Sequence, residues 1–143
     1  MGTGLMSSLL RNLLALTGGA LVAGVVIAVI ETGGALAYPP PRGFEPGNAA
    51  AMRAFIASLP PGAFLYILAA YFTGTLAGVF VTTRWSIRRT TRQGGMLGLV
   101  FLISAIVNFC RYPHPVWFIV ASLAAFLGAT WLGVRLGRPR LSS

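Results

Sequence analysis

The chain has 143 residues, 56% of them hydrophobic and 9% charged, with a mean hydropathy of +0.79. Soluble domains carry about 25% charged residues, so this chain lacks the polar material for a water-facing shell, which excludes an ordinary soluble enzyme. Eleven arginines, no lysine and only two acids, Glu31 and Glu45, leave a net charge of +9, which in so apolar a chain points to a bilayer before nucleic acid.

Four apolar runs without a charged residue are predicted to span the membrane, at about 13–30, 62–82, 94–110 and 116–134. Each falls in or near the ~17–25 residues that cross a bilayer as a helix, a form that satisfies every backbone group within itself. The expected fold is all-α: a polytopic membrane protein with one domain, residues 1–143, built as a four-transmembrane-helix bundle. Around the first run, Arg11 and Ala35-Leu36-Ala37 imitate a cleavable signal peptide. The run is longer than a usual signal core and Glu31 interrupts the approach to the small residues, so a retained helix is expected. Met1-Gly2 hints at myristoylation, but Met6 stands where that pattern needs Ser or Thr.

Residues 31–61 form the only sizeable segment outside the spans. Tyr38-Pro39-Pro40-Pro41 is biased to polyproline II, and Glu45-Pro46-Gly47 reads as a turn. From Asn48, an N-cap residue, a short amphipathic helix is predicted to run to Leu59 and stop at Pro60-Pro61. Met52, Phe55, Ile56 and Leu59 make one apolar stripe on it. That helix could lie in the outer interface with Arg53 toward the headgroups, or pack over the top of the bundle.

Between the second and third runs, Arg84, Arg88, Arg89 and Arg92 form a basic loop suited to contact with anionic lipid. With the N-terminus inside, eight arginines fall on the cytoplasmic side and three, Arg42, Arg53 and Arg111, outside. The positive-inside rule then places both termini in the cytoplasm. Trp85, Tyr112 and Trp117 sit where belt aromatics are expected. Small residues recur at helix-packing spacing in Gly74 and Gly78, Gly94 and Gly98, Ala20 and Gly24, and Ala124 and Gly128. Packing within the chain accounts for them, and a homodimer seam is a further possibility. The two hairpins also look faintly duplicated: Gly18-Gly19-Ala20-Leu21 parallels Gly94-Gly95-Met96-Leu97, and Tyr38-Pro39-Pro40-Pro41 parallels Tyr112-Pro113-His114-Pro115.

Residues that could carry chemistry are few. A single cysteine, Cys110, gives no intrachain disulfide and no cysteine-based zinc site; a single histidine, His114, excludes bis-histidine haem within one chain. No phosphate loop, dinucleotide fingerprint or nucleophile elbow is present, so neither a metal nor a cofactor is expected. Glu31, directly after Ile30, is the residue to single out, because ionisable groups at membrane depth are costly and tend to be paired or functional. An ion pair with Arg111 across the outer face is expected, with His114, Tyr38, Tyr112 and Asn108 completing a candidate outer-face polar site. The plainer reading of that set is structural; the sharper one is a ligand, proton or ion site.

Glu31, Tyr38-Pro39-Pro40-Pro41-Arg42-Gly43, Leu59-Pro60-Pro61-Gly62-Ala63-Phe64 and Pro113-His114-Pro115-Val116-Trp117-Phe118 together resemble a group of small, uncharacterised bacterial four-span membrane proteins. The resemblance implies the same topology in a bacterial inner membrane and names no activity. Those relatives often carry a pattern like E-x-x-G-H; here Glu31 and Gly34 match, while Ala35 takes the histidine's place, which speaks against a Glu/His metal site.

The leading expectation is a non-enzymatic accessory or scaffold bundle that binds membrane lipids or a membrane-protein partner, and no nucleic acid. The alternative is a small proton- or cation-coupled transporter or channel using Glu31, with a polar path past Thr73, Thr75 or Ser104. A lipid-modifying enzyme using Glu31, Arg111 and His114 is a third reading, weakened by the lack of a nucleophile–base pair.

Overall fold

The structure is a computed structural model that describes residues 2–87 and 90–138, with side chains from residue 6 onward. Among the described residues it is all-helical, with five helices: α1 (Gly2–Ala37), α2 (Ala49–Ser58), α3 (Pro61–Trp85), α4 (Thr90–Arg111) and α5 (Val116–Gly137). Helices α1, α3, α4 and α5 are long and apolar enough to cross a membrane. Prolines set several of the boundaries. Pro61 opens α3 at the position where a missing N–H costs nothing, and Pro115 caps α5.

Helix α3 is the centre of the bundle. It packs against α1, α4 and α5, whereas the α1 backbone approaches α4 only slightly and stays more than 8 Å from that of α5. The α1–α3 seam is antiparallel and built from small residues. Ala15, Gly19, Ala23 and Ile27, four residues apart, meet Thr82, Gly78 and Gly74. A Cβ on Gly78 would lie 2.6 Å from the Gly19 carbonyl oxygen, so glycine alone permits this approach. One interhelical hydrogen bond reinforces it, from the Thr82 hydroxyl to the Ala15 carbonyl at 3.1 Å. On the other side of α3, Gly133 and Gly137 of α5 press on the Leu76 and Phe80 carbonyls. Gly94 and Gly98 of α4 accommodate Thr83 and Thr130. Val79, Leu97 and Val134 close the apolar core at this end, with Leu16, Ala20 and Phe101 packed around them.

The four expected packing pairs therefore separate into two kinds. Gly74 with Gly78 and Gly94 with Gly98 are at helix contacts. Ala124 and Gly128 are not: both are exposed, and a Cβ on Gly128 would meet nothing within 4 Å. The contact face of α5 is instead Phe118, Ser122, Phe126, Ala129, Gly133 and Gly137. Gly24 is likewise open, because the α1 seam runs through Gly19 and Ala23, one residue earlier than Ala20 and Gly24.

The loop after α1 folds as its turn residues dictate. Gly43 has φ of +80°, and the Phe44 N–H reaches the Pro41 carbonyl at 3.1 Å, closing a turn whose third position favours glycine. Glu45 accepts from the Asn48 N–H at 3.0 Å across Pro46-Gly47, the turn read from the sequence. The Asn48 side chain then caps α2, accepting from the N–H groups of Ala50 at 3.0 Å and Ala51 at 3.2 Å.

Arginines segregate by end. Arg84, Arg92, Arg135 and Arg138 share the end formed by the last turns of α3 and α5 and the first turn of α4, while Arg42, Arg53 and Arg111 lie at the opposite end. Arg88, Arg89 and Arg140 lie outside the described residues.

Candidate functional site

At the end carrying α2, the bundle opens. A cavity of about 460 Å³ lies between α2 and the helix ends, within the roughly 300–1,000 Å³ typical of small-ligand pockets. Its roof is the stripe of Met52, Phe55, Ile56 and Leu59, so α2 turns its apolar face toward the bundle. No Cα of α2 comes within 8 Å of another helix; the cavity occupies the space between. Two contacts hold the roof at that height. The Arg53 Nε donates to the Arg111 carbonyl at 3.3 Å, and the Phe44 ring packs on Phe55 with centroids 5.0 Å apart.

The walls carry five of the six residues of the expected polar site: Glu31, Tyr38, Asn108, Tyr112 and His114. Tyr38 leaves the last turn of α1, its N–H bonded to the Gly34 carbonyl at 2.8 Å. Its ring lies over Gly62 and edge-on to Tyr66, 6.2 Å between centroids. The His114 Nδ1 lies 2.8 Å from the Tyr112 carbonyl. A carbonyl can only accept, so Nδ1 carries the proton of that bond and Nε2 is left for other partners. The ring stacks on Phe118 at 5.5 Å and 18°.

The sixth residue, Arg111, is placed elsewhere, and the expected Glu31–Arg111 ion pair is not formed. Arg111 ends α4, is exposed, does not line the cavity, and offers its backbone carbonyl to Arg53. Among the described residues no arginine nitrogen lies within 4.0 Å of the Glu31 carboxylate. The reason is one of depth. Residues 32–37 continue the helix, so Glu31 lies six residues, about 9 Å, below the end of α1.

Glu31 shares the cavity with Tyr71, a residue the sequence reading missed. Tyr71 lines the same cavity, within electrostatic reach of Glu31 and within hydrogen-bonding reach of the Asn108 side chain. The three come from α1, α3 and α4 and form the polar floor of an otherwise apolar chamber. Beside them Phe118, fully buried, is the hub of an aromatic cluster. Its centroid lies 4.9 Å from Phe64, 5.9 Å from Phe109 and 6.3 Å from Tyr71. This cluster ties α3, α4 and α5 together next to the site. The residues proposed for a polar path do not extend the floor inward. Thr73 and Ser104 are exposed on outward faces, their hydroxyls bonded to Ala69 and Val100 of their own helices at 2.6 and 2.8 Å. Thr75 is fully buried.

Among the described residues no group of three or more His, Cys, Asp or Glu could hold a metal ion. Cys110 is exposed and unpaired. Of the basic loop, Arg84 and Arg92 are exposed at the far end, about the length of a helix from the cavity. Comparison with family models, curated proteins and solved structures gives no match to this chain.

Proposed function

We propose that the chain is a non-enzymatic, multi-pass membrane protein that binds a membrane-derived amphiphile in the chamber beneath α2. The observation that carries this reading is the chamber's make-up: an apolar roof on an amphipathic helix above a floor of Glu31, Tyr71 and Asn108. A molecule with a chain and a polar head satisfies both surfaces, whereas a water-soluble solute would leave the roof unmatched. The segregation of arginines by end supports a bacterial inner membrane location with both termini cytoplasmic and the chamber facing out. Exposed Arg84 and Arg92, with Arg88 and Arg89, suit contact with anionic headgroups on the inner leaflet, worth about 1 kcal/mol each.

The transporter reading keeps one favourable observation, a carboxylate in a chamber. It lacks a continuation inward, because Thr73 and Ser104 face away and are spent on their own helices.

The full chain, extracted in a bilayer nanodisc and released in a native mass spectrometer, is expected to retain one amphiphile. An Ile56→Arg variant, with a charge on the underside of α2, is expected to lose it. No retained mass in the wild type, or equal retention in both, would overturn the reading. Proton flux into vesicles carrying the wild type, abolished by Glu31→Gln, would replace it with the transporter.

A further inference from the structure

The head-group end of the chamber has a chemical preference. Glu31 is the only acid of the bundle; the other, Glu45, belongs to the turn ahead of α2 and is not part of the lining. Its carboxylate takes no hydrogen bond and pairs with no arginine among the described residues. The three arginines of this end, Arg42, Arg53 and Arg111, are all exposed and absent from the lining. Glu31 is open to the chamber rather than packed away, and a carboxylate in a largely apolar lining at membrane depth favours a counter-charge there. Tyr71 and Asn108 offer neutral donors on the same floor, but among the described residues no cation lines the chamber beside it, apart from what His114 could supply.

The chamber that this carboxylate opens into is rich in aromatic side chains. Tyr38, Tyr66, Tyr71 and Tyr112, every tyrosine in the chain, line the chamber. Aromatic faces attract organic cations through the ring quadrupole, most strongly where water is excluded. One negative charge in a chamber lined by aromatic side chains is complementary to a positive head group and hostile to a negative one. The roof of Met52, Phe55, Ile56 and Leu59 lies ready for the alkyl chain behind that head.

Resting on the proposed amphiphile site, we infer that its ligand is a cationic amphiphile, an alkylamine or alkylammonium whose head sits against Glu31 within the tyrosine walls. The selectivity is local. The molecule as a whole carries +9, so long-range attraction favours anions, and a preference for a cation must come from the chamber itself.

The test compares three probes with the same chain length and different heads: dodecyltrimethylammonium, 1-dodecanol and dodecanoate. Each is titrated below its micellar concentration into the full chain in zwitterionic nanodiscs, with empty nanodiscs subtracted. Fluorescence of Trp117, whose ring lies 6.1 Å from Phe64 of the chamber wall, reports binding in a Trp85→Phe/Trp131→Phe background. The cation is expected to bind about tenfold or more tighter than dodecanol, with dodecanoate the weakest. Glu31→Gln is expected to express and assemble as the wild type does and to lose the cation preference, the ratio of cation to dodecanol affinity falling toward one. Equal binding of cation and alcohol by the wild type, tighter binding of dodecanoate, or an unchanged preference in Glu31→Gln would each overturn the inference and leave the amphiphile site standing. Failure of all three probes to bind would overturn the site itself. If Glu31→Gln does not fold, the wild-type order of the three heads decides alone.

Discussion

Gly78→Leu is expected to split α1 from α3 and to destabilise the folded bundle by about 3 kcal/mol or more. Overpacking a well-filled site costs about 1–3 kcal/mol where side chains can move aside. Here the obstacle is backbone: a Cβ at residue 78 would sit 2.6 Å from the Gly19 carbonyl oxygen and 2.8 Å from the Ala23 Cβ. The helices would have to separate along the whole run from Ala15 to Ile27, losing the Thr82–Ala15 hydrogen bond with their dispersion contacts. Steric-trap unfolding in bicelles measures the effect. Gly24→Leu is the matched control, since that glycine lies on the same seam helix with nothing within 4 Å, and a change below about 0.5 kcal/mol is expected. Equal costs for the two substitutions would mean that the seam runs through another face of α1.

Phe118→Ala is the second large effect, expected at about 3–5 kcal/mol in the same assay. The ring is fully buried and is the one aromatic in contact with α3, α4 and the α4–α5 turn together, through Phe64, Phe109 and His114. Its removal leaves a void that none of these rings can fill without abandoning another contact. Because Tyr71 leans on Phe118, the floor of the chamber should loosen too, and amphiphile binding should weaken along with stability. Val120→Ala, at a position 62% exposed on the same helix, should cost little. A Phe118→Ala loss no larger than that of Val120→Ala would show that the cluster does not hold the α2 end of the bundle together.

The contrast between Gly24 and Gly78 also marks the limit of what the residues alone disclose. Four spans are legible because apolar runs of that length have one stable form in lipid, and α2 is legible because Asn48, Pro60 and Pro61 punctuate it. Which side of a helix meets a neighbour is not legible. Ala124 with Gly128 and Gly133 with Gly137 have the same spacing, and only the position of α3 makes the second pair the contact. Glu31 was placed too near the surface for a related reason. A charge reads as the end of an apolar run, yet Thr32 through Ala37 are small or apolar enough to carry the helix onward, bringing the carboxylate level with Tyr71. Tyr71 itself was hidden inside an apolar run, where one tyrosine looks like any other bulky residue. The outer polar set was largely legible because Pro-rich turns had to bring Tyr38, Tyr112 and His114 to one end. Arg111 broke from it because a long exposed side chain at a helix terminus is free to stay in solvent while its backbone serves Arg53.

The central position of α3 bears on how the chain assembles as it is made. Helix α1 leaves the ribosome first and α5 last, and the backbones of these two do not approach within 8 Å. Every other long helix finds its main partner in α3, which is the second long helix to be synthesised. The α1–α3 hairpin can therefore zip before α4 exists, and each later span has a finished surface waiting beside it. Asn108, Tyr112 and His114 arrive with the third span and the turn that follows it, so the chamber gains its last wall late in synthesis. Until then the carboxylate of Glu31 faces a half-built pocket, and the aromatic hub that seals its floor is among the last parts to reach the membrane.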